Sequence, residues 1–289
     1  MALERKKLSA EFIIDSFNEY GNDALVFKIT EKRSSKNKEV EYVDLNIRTP
    51  TNYSGEYKLP DYPIYLKFEG LRTFKCPSPE IRASRKGAGP TYSFKISSVD
   101  NKGQKIGLAC SKLIDAWYEF IKEYNDKNEL GFKIISPIQK TVGTMTEKKT
   151  IDDPIIRIKF RIKSKADPTI KGGIYQIVNG RKQKPLNGVP ITYENIHLVV
   201  TSGVSSGIIN FATTMFSQQG ISIDASSSEF IINQYKGDEF DTSDFDLSDL
   251  GVAMQQEELL EQPNDMDAQE TPVNSRDLED KKNLLNEFN

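Results

Sequence analysis

The sequence predicts a β-rich α+β body over residues 1–236 and an acidic tail over residues 237–289. Three observations carry that expectation. Period-two alternation recurs through the body, most clearly at Pro154–Lys163 (P-I-I-R-I-K-F-R-I-K). There Ile156, Ile158, Phe160 and Ile162 take one face and Arg157, Lys159, Arg161 and Lys163 the other, the mark of a half-buried strand. A single long stretch, Leu108–Lys127, has helical spacing instead. The charge is also divided. Residues 237–289 hold sixteen acidic and three basic residues, a net of −13, which leaves 36 basic and 26 acidic residues, a net of +10, in the body. The chain's net charge of −3 hides this division.

The elements follow in order. Ser9–Tyr20 spaces Phe12, Ile13 and Phe17 helically and stops at Gly21, a short opening helix. Residues 24–30 and 40–48 read as a strand pair, with Val43, Leu45 and Ile47 on one face and the polar loop E-K-R-S-S-K-N-K-E between them. Tyr62–Glu69 alternates and closes at Gly70. Thr91–Ser97 places Tyr92, Phe94 and Ile96 on one face and Lys95 on the other. In the main helix, Leu113, Ile114, Trp117, Ile121 and Tyr124 form an apolar stripe, which makes Trp117 a core anchor and Cys110 a buried, inert thiol. Asn179-Gly180 is a type I′ turn dipeptide, so residues 173–183 read as a hairpin. Apolar runs at 191–201, 207–216 and 220–235 complete eight or nine strands in one domain. This is the pattern of an elaborated OB barrel with one main helix. The tail combines low hydrophobicity with high charge, which predicts disorder.

Several functions lack their residues. No run of eighteen apolar residues is present, so no membrane span is expected, and the N-terminus does not read as a secretory signal. Cys76 and Cys110 have no metal or disulfide spacing, which suggests a reducing, intracellular setting. His197 is the one histidine, and its apolar neighbours Ile196 and Leu198 suit a structural role. No phosphate loop, nucleophile elbow or zinc motif occurs. Asp152-Asp153 reads as a turn or cap more readily than as a metal pair. An enzyme, a metal and a cofactor are not expected.

A polyanion-binding body with a competing or partner-binding tail fits the charge division. The strand cations Arg157, Lys159, Arg161 and Lys163 form one candidate surface, against the alternative of a solubilising edge strand. Arg72, Lys75, Arg82, Arg85 and Lys86, in the Pro- and Gly-containing loop 71–90, form a second with Lys95. Arg181 and Lys182, with Lys184, leave the predicted hairpin as a third. Tyr92 and Phe94, with Tyr65 and Tyr175, are candidates for stacking bases, although Ile96 shares the face of Tyr92 and Phe94 and draws them toward a core. Phe240, Phe245 and Phe288, set among acids in the tail, are candidates for binding partners.

The chain resembles the single-stranded-DNA-binding proteins of large nucleocytoplasmic DNA viruses. The resemblance lies in P-I-I-R-I-K at 154–159, E-N-I-H at 194–197, G-I-I-N at 207–210, G-I-S at 220–222 and F-K-I-S at 94–97, in the same order and at similar spacing. It implies an OB-type fold and sequence-tolerant, non-enzymatic binding of single-stranded DNA in viral replication, repair or recombination. It also implies location in the host cytoplasm, at viral factories, or in the nucleus. Arg157, Lys159, Arg161, Phe94 and Lys95 are the positions it carries over to a binding surface. The acidic tail departs from that pattern and is similar in kind to the tails of phage and bacterial single-strand binders. It suggests viral replication proteins as partners. The competing expectation is a virion or host-interaction protein that binds duplex DNA, RNA or another polyanion.

Overall fold

The computed structural model describes residues 6–33, 39–80, 89–98, 100–143, 148–164, 166–217 and 220–233. The opening helix, α1 (Ala10–Tyr20), begins where Ser9 Oγ accepts the Phe12 N–H at 3.1 Å and ends at Gly21, whose φ of 57° leaves the helix. It buries Phe12, Ile13 and Phe17, the residues that its spacing singles out. Strands β1 (Leu25–Arg33) and β2 (Glu39–Arg48) pair antiparallel from Leu25 opposite Ile47 to Arg33 opposite Glu39. Val43, Leu45 and Ile47 are buried as the alternation requires.

Next come β3 (Asp61–Pro63), β4 (Tyr65–Thr73), β5 (Thr91–Lys95), α2 (Asn101–Lys127), β6 (Ile134–Ile135), β7 (Ile138–Gly143) and β8 (Lys148–Lys159). They are followed by β9 (Gly173–Val178), β10 (Arg181–Gln183), β11 (Gly203–Asn210), β12 (Thr213–Ser217), β13 (Gly220–Ile223) and β14 (Ser226–Asn233). One sheet runs β1-β2-β12-β13-β6, with β3 added on β2. The other runs β10-β9-β14-β11-β4, and β8 joins it with β5 and β7 as neighbours. Two short connections tie the sheets together. Chain passes from β11 to β12 through Phe211-Ala212, and from β13 to β14 through Asp224-Ala225.

The fold is thus α+β and rich in strands, with a buried apolar cluster that extends from Leu8 to Phe230 and takes in α2. Trp117 is wholly buried and donates from Nε1 to Thr214 Oγ1 at 2.8 Å, which pins the helix to β12. Burial pushes the Cys110 thiol upward, away from its reactive form. The Asn179-Gly180 turn has positive φ at both residues and sets Val178 opposite Arg181, as a type I′ hairpin does. Among the described residues no helix is long and apolar enough to cross a membrane.

Three expectations need correction. First, fourteen strands are described rather than eight or nine: β6 and β7 fall where no strand is expected, β3 is three residues long and too short to show a period, and the runs at 207–216 and 220–235 each divide into two strands at a corner. The run at 191–201 is not a strand and instead forms turns around a 3-10 segment, Ile196–Leu198. Second, α2 starts seven residues before Leu108. Gly103 and Gly107 lie in the added turns, and a Cβ on Gly107 would collide with the Ile96 carbonyl and one on Gly103 with the Ser98 side chain. These glycines let the helix lie against the chain that feeds it, a packing gain set against their poor helix propensity. Third, β8 is not an edge. β5 lies along Ile155–Lys159 on one side and β7 along residues 148–156 on the other.

Candidate functional site

The two corner connections frame a groove of about 1080 Å³ where the sheets meet. Three cations line it, Lys159, Arg161 and Lys171, together with the carboxylates of Asp44 and Asp224 and the ring of Tyr65. Asn46 and Asn210 add amides, and Ser222 with Ser226–Ser228 add hydroxyls. Each position has a local cause. Lys159 is the last residue of β8, held by its N–H to the Ala225 carbonyl at 2.9 Å. After it the chain leaves the sheet, and Arg161 O accepts the Lys171 N–H at 2.5 Å, which sets the two cations side by side. Gly172 follows at φ 105°, where a Cβ would press 2.7 Å from the Ser228 carbonyl, so the loop lies close on β14.

Asp224 organises the corner. Its N–H bonds Thr213 O at 2.8 Å, and its side chain is only 6% exposed. Arg161 grips it with two bonds, Nε to Oδ1 at 3.2 Å and Nη2 to Oδ2 at 2.5 Å. Asn210 Nδ2 and Ser226 Oγ donate to the same Oδ2 at 3.4 and 3.1 Å. A half-buried Tyr65 opens β4 opposite Asn210.

The expected cationic rail is only partly present. Lys159 and Arg161 are exposed in the groove, but the strand ends between them, and the face does not continue as a straight row. Arg157 is half-buried inside the sheet, with Nη2 donating to Gln139 Oε1 at 2.6 Å. Lys163 is exposed past the groove, 3.4 Å from Asp167. Ile156, Ile158 and Phe160 are buried and Ile162 is half-buried, in keeping with the alternation.

Tyr92 and Phe94 are not stacking rings, because both are wholly buried. They lie opposite Ile158 and Ile156 on β8, and Tyr92 packs on Phe160 and Phe230 at ring distances of 5.2 and 4.6 Å. Thr91 and Ser93 on the other face of β5 are buried too, so this strand offers no open face. Lys95 is half-buried and pairs with Asp153 at 3.1 Å; Asp153 also accepts from Ser97 Oγ, which accounts for this carboxylate structurally.

The remaining candidates lie elsewhere. Arg72 is half-buried on β4 and Lys75 exposed after it, while Arg82, Arg85 and Lys86 lie outside the described residues. Arg181 and Lys182 are exposed on β10 at the far end of the larger sheet. There Lys182 sits 3.9 Å over the Tyr175 ring and pairs with Glu229. Phe240, Phe245 and Phe288 also lie outside the described residues. His197 is satisfied by Glu194 O, 2.8 Å from Nδ1.

Sequence reasoning missed Lys171, Asp224 and the serines. Lys171 belongs to no periodic run, and its K-G-G context was the one available signal of a tight approach. Of the segments that carry the resemblance, P-I-I-R-I-K supplies the expected Lys159 to the groove, while G-I-I-N, which reads as framework, and G-I-S supply Asn210 and Ser222. No family model matches the chain, and a search of curated proteins gives no match.

Proposed function

We propose that this protein binds single-stranded DNA without turning it over, and that the groove between the sheets is where it does so. The observation that carries the reading is the convergence of three cations and a half-buried tyrosine ring on one groove. Single strands are held in this way, by cations that meet phosphates and by rings that accept any base. Three separate segments that suggest the viral single-stranded-DNA-binding family supply lining residues to the same groove. That supports the family reading, and with it an OB-type barrel and a part in viral DNA replication, repair or recombination within the host cytoplasm or nucleus. The acidic tail, with its net of −13, would compete for this basic surface or recruit replication proteins through Phe240, Phe245 or Phe288.

Competition is the direct test. The full chain is bound to a labelled oligo(dT) and challenged with unlabelled poly(dT), duplex DNA or single-stranded RNA. Displacement by poly(dT) at markedly lower concentration than by duplex or RNA is expected. Equal displacement by all three would instead favour a general polyanion binder of a virion or host-interaction kind.

A further inference from the structure

A carboxylate in a groove for polyanions looks like a defect, and at Asp224 the geometry says otherwise. The side chain is nearly buried, and its two oxygens receive four donors, from Arg161 Nε, Arg161 Nη2, Asn210 and Ser226. Three of these donors fall on Oδ2 and one on Oδ1, so the chain itself supplies most of what a carboxylate, with about four lone-pair sites, accepts. The Arg161 contact is a fork on both oxygens, the arrangement that fixes a guanidinium plane. Arg161 is 43% exposed, and the bonds to Asp224 use Nε and Nη2. Nη1, with its two hydrogens, makes no hydrogen bond to the chain among the described residues. Arg161 lines the groove with its guanidinium held on one side by Asp224, which leaves Nη1 for a ligand.

We propose that Asp224 is a positioning residue that holds Arg161 ready for a phosphate, so that this buried negative charge strengthens the binding of a polyanion. The inference rests on the single-strand-binding reading and adds the division of labour within it. Two effects oppose each other. The charge of Asp224 repels a phosphate on Nη1, and since the two lie within the Debye length of ~8 Å at 0.15 M and Asp224 is nearly buried, salt screens this weakly. The Arg161 cation and the amide and hydroxyl donors already on the carboxylate offset its charge instead. The tether has already removed the rotamer freedom that a loose arginine loses on gripping a ligand, and that benefit does not depend on salt. Positioning outweighs the repulsion that remains.

The test compares the full-length protein with Asp224→Asn, Arg161→Lys, Arg161→Ala and the Arg161→Ala/Asp224→Asn pair, titrated with labelled oligo(dT) at 0.15 M salt. Positioning predicts that Asp224→Asn weakens binding about three- to tenfold, the cost of ordering one long side chain at an interface. It predicts a similar loss for Arg161→Lys, which keeps the charge but not the fork, and no weakening by Asp224→Asn once Arg161 is alanine. Tighter or unchanged binding by Asp224→Asn overturns the inference, as does equal weakening in both backgrounds, which marks a merely structural role. Should Asp224→Asn lose its fold, Arg161→Lys decides alone, and unchanged affinity there overturns the inference. If the unmodified chain fails to bind oligo(dT), the functional reading itself falls and takes the inference with it.

Discussion

Replacing Lys159 and Lys171 together with alanine separates a binding groove from a charged surface that happens to be concave. Both side chains are exposed and line the groove with Arg161. Their removal leaves the backbone bonds of Lys159 to Ala225 and of Lys171 to Arg161 in place. If each of the three cations neutralises one phosphate, the groove contributes a slope of about −2.1 to log K against log salt, at ~0.7 per contact on a single strand. The double substitution leaves one contact and a contribution of about −0.7. Between 50 and 200 mM salt the groove's share of the affinity loss should fall from roughly 18-fold to roughly 3-fold. Cations elsewhere add equally to both proteins, so the difference of about 1.4 in slope is the quantity to read. Fluorescence anisotropy of a labelled oligo(dT), titrated at four or five salt concentrations, measures it. A slope unchanged by the double substitution, in protein that melts normally, refutes the groove as the phosphate path.

Other outcomes distinguish ring from core and body from tail. Tyr65→Ala should cost ~1–3 kcal/mol of oligo(dT) affinity while leaving the urea midpoint nearly unchanged. Phe94→Ala should do the reverse, with ~3–5 kcal/mol lost from unfolding stability and normal affinity in the protein that remains folded. Truncation after Lys236 should tighten binding at low salt and make no difference at high salt, where the tail's charge is screened; equal affinity at low salt would remove the competing-tail idea. Because burial raises the Cys110 thiol above its unfolded value of ~8.5, the folded chain keeps a proton that the unfolded chain gives up. That contribution is fully present below pH ~8.5 and declines as pH rises further, so the alkaline fall in urea midpoint should be shallower in Cys110→Ala.

Much of the frame was legible in the chain. The 156–162 alternation, the stripe around Trp117, the helix stop at Gly21 and the Asn179-Gly180 turn each act over a few residues, and each is found where those residues place it. Local rules failed where a contact came from far along the chain. Gly107 stops a helix by propensity, but contact with Ile96 makes it the residue that lets α2 begin at Asn101. Tyr92 and Phe94 beside Lys95 have the composition of a stacking strand, although Ile96 on the same face points to a core, and the pairing of β5 with β8 makes both rings interior.

Alternation decides which side chains share a face, because successive residues on a strand point to opposite sides whatever surrounds them. That was enough to separate Ile156 and Ile158 from Arg157 and Lys159. It does not decide what lies against the polar face. Two neighbouring strands, β5 and β7, enclose Arg157, whereas Lys159 emerges where β8 ends and the sheets turn. The groove is assembled from segments as far apart as Asp44 and Ser228, and the bonds of Asp224 to Arg161 and Asn210 exist only after β11–β14 have turned both corners. Sequence by itself determined the faces and the charge. Tertiary structure decided which charges meet, because strand pairing between distant segments follows from burying their apolar faces together and is not encoded in the polar residues that the pairing brings into register.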